Sequence, residues 1–219
     1  MLFFIFDTTS GWATLIAILG FVLAVTIALV THEWAHAWAA FRSGDPTAKI
    51  MGRMTLNPAK HVEPMGLVMF LVVGIGWAKP VPVNPFNYRN FRKGNFFVSI
   101  AGVTVNLIIG FVASFCFFLI NHFGDVGALG IWGLGFFFMI LMVINFSLMI
   151  FNLIPIYPLD GYNILRSFLK PNNRYLQFAR ERAQILLLVV LLVAVFTGAI
   201  GHLVLGIQNL FMGFWGLMF

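Results

Sequence analysis

Charge is what this sequence has least of. Only 9% of its 219 residues are charged, against 61% apolar, and the mean hydropathy is +0.96. A water-soluble fold of this length has too little interior to hide that much apolar surface, so a soluble protein is excluded and an all-α polytopic membrane protein is expected. Cysteine is nearly absent. Cys116 stands alone in an apolar run, which excludes a disulfide framework or a cysteine metal cluster and leaves a small core residue. The net charge of +6 does not imply a nucleic-acid partner, because basic residues are missing from most of the chain. All thirteen Lys and Arg residues lie in two blocks, residues 42–93 and 166–182, a pattern that membrane topology explains. The first eleven residues, MLFFIFDTTSG, lack a basic region and a small-residue cleavage site, so no cleaved signal peptide is expected. No internal repeat or low-complexity linker divides the chain, which reads as one domain over residues 1–219.

The positive-inside rule puts both basic blocks in the cytoplasm. Between them lie two apolar runs, about residues 96–120 and 131–151, joined by Asn121-His122-Phe123-Gly124-Asp125, which has no basic residue and is expected outside. Residues 183–200 form another outward crossing, and residues 11–41 enter the cytoplasm from an outside N-terminus that bears only Asp7. The expectation is therefore four transmembrane helices. Two segments fit no simple crossing. Residues 65–77 are apolar but short and run into glycines and prolines, which suits a re-entrant segment. The uncharged tail, residues 202–219, reads equally as a fifth crossing, a hairpin half or an interfacial helix.

Inside the first crossing stands Thr31-His32-Glu33-Trp34-Ala35-His36-Ala37. Two histidines four residues apart share one face of a helix and can take two corners of a tetrahedral zinc site. Glu33 beside them can take a proton from an activated water. The motif lies within about 30 residues of helix-compatible sequence, roughly 45 Å long, with His36 roughly 9 Å and His32 roughly 15 Å from Arg42 along the axis. Polar side chains at such depth are costly without partners and mark function. The plainer alternative is hydrogen bonding to neighbouring helices. A third ligand decides between them.

Acidic residues near the apolar runs reduce to Glu33 and Asp160, with His61 and Glu63 as cytoplasmic rivals; His122 and His202 lie toward the other side. Asp160 follows Asn152-Leu153-Ile154-Pro155-Ile156-Tyr157-Pro158-Leu159 and precedes Gly161. Two prolines break the helix and a glycine permits a turn. Irregular backbone at membrane depth persists only where it is buried in protein or lines a watery cavity, and a carboxylate there can reach a metal on another helix. Asp160 as the N-cap of a following helix is the alternative.

These stretches, in this order, resemble the site-2 proteases, zinc metalloproteases that cleave within membranes. His32-Glu33-Trp34-Ala35-His36 is similar to the family's zinc helix, and residues 152–161 to its Asn-x-x-Pro-x-x-Pro-Leu-Asp-Gly segment, whose aspartate is the third ligand. Leu56-Asn57-Pro58 with His61, residues 76–85, and Ala101-Gly102-Val103-Thr104-Val105-Asn106 look like the compact branch without an inserted soluble regulatory domain. Val103 departs from the pattern, standing where proline is common. The similarity runs from about Thr31 to Arg166.

The resemblance implies one Zn2+ per chain on His32, His36 and Asp160, Glu33 as general base, and Asn106 or Asn152 as amide donors to an oxyanion. It implies a membrane-protein or signal-peptide-like helical substrate in the lipid bilayer, and the basic loops put the expected site in the cytoplasmic half of a cell membrane. Residues 79–85 read either as an edge for an unwound substrate strand or as a rigid proline-rich turn. A catalytically silent membrane zinc scaffold or transporter would use the same ligands but make Glu33 dispensable. No feature of the sequence selects an oligomeric state.

Overall fold

The computed structural model describes residues 11–73, 78–124 and 129–219. Its three long helices are α1 (Gly11–Ser43), α4 (Phe91–Phe123) and α5 (Leu129–Asn152). Between α1 and α4 come the short α2 (Thr47–Ile50) and α3 (Pro64–Val73). After α5 follow α6 (Asp160–Phe168), α7 (Arg174–Glu181), α8 (Ala183–Thr197) and α9 (Ala199–Gly216). No strand occurs among the described residues, so the all-helical expectation holds.

Small residues let α1 lie close to its neighbours. Ala13, Ala17, Phe21, Ala24, Ala28, His32, Ala35 and Ala39 recur at three- and four-residue steps and are all buried, which makes one continuous stripe. The other side of α1 exposes Trp12, Leu15, Leu19, Leu23 and Trp38, the face that lipid covers. The stripe meets α4 and α5 around a core that includes Phe21, Val25, Met142, Ile144 and Phe146. His32 thus enters the protein interior as a member of the packing stripe.

The helix α4 begins earlier than its apolar run. Asn90 is its N-cap, accepting the Lys93 N–H at 3.0 Å, so a polar first turn is added before Phe96. It extends through His122 and Phe123 into the stretch expected to be a turn. The helix α3 covers most of the expected re-entrant segment; residues 74–77 lie outside the described residues, as do Asp7 and residues 125–128.

Among the described residues three helices are long and apolar enough to span a membrane, or four if α8 and α9 form one bent span. Gly198 adopts φ 62°, a left-handed conformation open to glycine, and α8 and α9 meet there at a 64° bend. The tail that the sequence left undecided becomes α9. Phe211 packs on Phe111, Trp215 on Phe111 and Phe115, and Phe219 on Phe115, Phe118 and Phe123, so α9 runs parallel to α4. Trp215 Nε1 donates to Ser114 Oγ at 3.0 Å, satisfying the indole N–H in an apolar setting.

Candidate metal centre

The two histidines of α1 sit one turn apart with rings at 87° and centroids 4.5 Å apart. Their Nε2 atoms are 2.9 Å from each other. The other ring nitrogens are held by α4: His32 Nδ1 lies 3.2 Å from Asn106 Oδ1, and His36 Nδ1 lies 2.7 Å from the Val98 carbonyl oxygen. Both oxygens can only accept, so both Nδ1 atoms carry the proton and donate. That arrangement leaves each Nε2 as the ring nitrogen that can offer a lone pair, and the two face one point.

Asp160 brings its Oδ2 to 3.4 Å from His32 Nε2 and 3.3 Å from His36 Nε2. It is the first residue of α6, and the N-cap position belongs to Leu159, so the capping alternative does not describe it. Asp160 Oδ2 is buried without a hydrogen-bond donor. The segment before it turns through short backbone bonds, Ile156 N–H to the Ile154 carbonyl and Leu159 N–H to that of Ile156, both 2.8 Å. Gly161 closes the turn: a Cβ there would collide with the Leu153 and Ile154 carbonyls. Tyr175 of α7 donates to the Pro155 carbonyl at 2.6 Å, and Asn95 of α4 donates to the Asn163 carbonyl and Ser167 Oγ at 2.6 and 2.9 Å. The Asn95 bonds fasten α6 to the histidine-holding face of α4, and the Tyr175 bond ties α7 to the turn before Asp160.

A metal ion fits this arrangement. Two imidazole nitrogens and a carboxylate oxygen, all able to donate a lone pair, converge on one point, which a cation between them would satisfy. Ligand atoms about 2.0–2.1 Å from zinc at tetrahedral angles are about 3.3 Å apart, close to the carboxylate–imidazole distances here. His32, His36 and Asp160 form the group with metal-ligand spacing among the described residues, all donor atoms within 4.8 Å. His61 lies elsewhere, its Nε2 donating to the Thr55 carbonyl at 2.7 Å, and Glu63 is not in the group. His122 stacks on Phe118, and His202 donates from Nδ1 to the Gly198 carbonyl at 2.9 Å.

Glu33 accepts the Val81 N–H on Oε2 at 2.7 Å. That residue belongs to the stretch after Ala78, which forms no strand beyond one antiparallel bridge between Val62 and Ala78. Arg53 Nη2 donates to the Lys79 and Pro80 carbonyls at 2.7 and 3.2 Å. Asp45 anchors the far end, accepting from Asn84 N–H at 2.6 Å and Asn87 Nδ2 at 2.8 Å. Burial works against the Asp45 charge, but hydrogen bonds from Asn84, Thr47 and Asn87 outweigh it and hold the carboxyl below its ordinary range. With Pro80 and Pro82 lacking N–H groups and Val81 committed to Glu33, the geometry favours the rigid proline-rich turn over an open edge.

Of the two asparagines expected near an oxyanion, Asn106 holds His32 and leaves its buried Nδ2 without an acceptor, whereas Asn152 donates to the Leu148 carbonyl of its own helix at 3.0 Å. Gly102 was not anticipated as a site residue. A Cβ there would lie 2.6 Å from His32 Cε1 and 2.7 Å from His36 Nε2, so only glycine lets α4 approach the pair. Val98, Gly102 and Asn106 are spaced four apart and share one face, a spacing visible in the sequence once both helices are known to touch.

Fold and site together define a membrane-embedded helical protein with two histidines and one carboxylate that could hold a metal ion. The sequence model of Peptidase family M50 matches residues 120–197. YwhC of Bacillus subtilis is 40% identical over 173 residues, 78% of this chain and 79% of that protein. Rip2 of Mycolicibacterium smegmatis is 30% identical over 182 residues, 79% of this chain and 67% of its own length. MJ0392 of Methanocaldococcus jannaschii is 26% identical over 96% of this chain and 50% of its own length. All three carry the words zinc metalloprotease in their names. No solved structure matches the chain. The chain belongs to Peptidase family M50, the site-2 proteases, and is an intramembrane zinc metalloprotease.

Proposed function

We propose that the protein hydrolyses a peptide bond in or near a transmembrane helix of a membrane-protein or signal-peptide-like substrate, with one zinc per chain on His32, His36 and Asp160. The observation that carries this reading is the convergence of both Nε2 atoms on an Asp160 Oδ2 that has no hydrogen-bond donor of its own. Zinc so bound supplies Lewis acidity, making water acidic enough to ionise near neutral pH and polarising a carbonyl.

The chain's own groups do the rest. Asn106 and the Val98 carbonyl fix both imidazoles with Nε2 inward, a role that in comparable sites is worth 10–100-fold in metal affinity or activity. Glu33 is the general base: Val81 N–H holds Oε2, while Oε1, unpaired among the described residues, takes the proton from water and returns it to the leaving amine. Asn106 Nδ2, buried and without an acceptor, is the better of the two candidate amide donors to developing negative charge. The whole of residues 1–219 acts as one domain, with the N-terminus outside and the metal in the cytoplasmic half of the cell membrane, as the basic loops favour.

The test is cleavage itself. The protein in liposomes with a transmembrane peptide containing a helix-weakening glycine or proline should yield two fragments by mass spectrometry, and chelation should stop this until zinc is restored. An intact peptide under zinc-loaded conditions, across several such peptides, would count against the reading.

A further inference from the structure

The helix that carries Asp160 also lines a cavity of about 240 Å³ for which hydrolysis has no use. Three arginines meet there from three elements: Arg92 in the first turn of α4, Arg166 in the last turn of α6 and Arg180 in the last turn of α7. Gln177 and Tyr162 add polar atoms, and no acidic residue contributes to the lining. Among the described residues none of the three guanidiniums forms an ion pair. The Arg166 guanidinium lies 5.1 Å over the Phe91 ring, a contact that orients its plane and uses none of its N–H donors.

Topology accounts for basic residues on this side of the membrane but not for three of them around one cavity. It also makes no distinction between lysine and arginine, yet all three are arginine, the side chain whose planar fork matches a phosphate. Clefts for drug-sized ligands hold about 300–1,000 Å³, so this smaller space suits a compact anion. Its level matters too. Phe91 opens the long α4, and Ala183, three residues past Arg180, opens the apolar α8. The cavity therefore sits where two apolar helices begin, the depth of lipid phosphates.

We propose that this cavity is a phosphate-binding site whose anion is clasped by Arg92, Arg166 and Arg180. Occupancy links α4, α6 and α7 through one shared ion and so stabilises the fold. The binding does not rest on the hydrolytic reading. Two sources offer the same chemistry: the phosphodiester of an anionic lipid headgroup and free phosphate in solution.

The experiment uses the full chain in phosphatidylcholine nanodiscs, to which either phosphatidylglycerol or inorganic phosphate is added. Thermal unfolding and native mass spectrometry of retained lipid are the readouts. A raised unfolding midpoint with retained phosphatidylglycerol assigns the lipid; a rise with inorganic phosphate alone assigns the free anion. Arg166→Gln or Arg180→Gln should weaken binding about tenfold or more, the loss expected for a hydrogen bond to a charged group. Arg174→Gln, on the exposed start of α7 and outside the cavity, should change it no more than about fivefold, the effect of one charge near an anionic surface. Should Arg166→Gln fail to fold in neutral nanodiscs, Arg92→Gln, on an exposed side chain, takes its place. Equal losses in the cavity and control variants, or no response to either anion, overturn the proposal.

Discussion

At the residue scale the site is defined by what each polar atom faces. Asp160 Oδ2 has the Nε2 atoms of His32 and His36 opposite, whereas His61 is engaged with the Thr55 carbonyl. Purified protein should therefore lose zinc on Asp160→Ala and keep it on His61→Ala, measured as metal per chain; the reverse pattern would move the third ligand. Gly102 is the other decisive residue. Its missing Cβ leaves room for imidazoles that Asn106 and Val98 prevent from swinging aside. Gly102→Ala should force α4 away from α1, costing about 1–3 kcal/mol of stability as overpacked cores do, together with weaker zinc binding. Wild-type zinc affinity and an unchanged unfolding midpoint in that variant would show that the helices do not touch there as described. The three residues that the structure brings together were legible in the sequence because His32 and His36 are spaced for one helix face and Asp160 follows two helix-breaking prolines. The Val98 carbonyl and the Val81 N–H were not, since a backbone group carries no residue signal.

At the scale of elements, the stretch after Ala78 is held at three points: Glu33 on Val81, Arg53 on the Lys79 and Pro80 carbonyls, and Asp45 on Asn84. The Asp45 anchor is pH-dependent, and its sign follows from its lowered folded pKa. Its contribution is fully present above the unfolded carboxylate value of about 3.9 and is lost as pH falls through the lower folded value. The protection factors of the Val81 and Asn84 amides, exchange rates taken relative to the free amide at the same pH, should fall on acidification below about pH 4. Asp45→Asn should show reduced protection already at neutral pH, since one of its two acceptor oxygens becomes an NH2 donor facing the donors of Asn84, Thr47 and Asn87. Slow exchange in that variant would mean that the stretch is anchored elsewhere. The three long helices were readable from apolar runs bounded by charge. The bend between α8 and α9 was not, because hydropathy averages over a window while the bend depends on one left-handed glycine, Gly198. The early start of α4 turned on Asn90, a capping residue outside the apolar run.

At the scale of the molecule, the proposed orientation predicts where each end of the bundle lies. Reporters placed near Asn90 and Asn172 should be cytoplasmic, and one between His122 and Asp125 should be outside; a cytoplasmic signal from the last would invert the map. Because α9 runs parallel to α4 and ends beside Phe123, a reporter after Phe219 should share the outside location. The metal centre needs α1, α4 and α6 together, so hydrolysis is a property of the assembled bundle. In the proposed mechanism Glu33 separates catalysis from mere metal holding, because it contacts Val81 and is not among the candidate ligand group. The most direct measurement compares wild type with Glu33→Gln in reconstituted membranes, reading zinc content and cleavage of a transmembrane peptide on the same samples. Glutamine keeps the size and the acceptor for Val81 N–H but cannot take a proton from water. Zinc should stay at the wild-type level while cleavage falls about 10²-fold or more, the lower end of a positioned base's contribution. Cleavage at the wild-type rate with zinc retained would contradict the account.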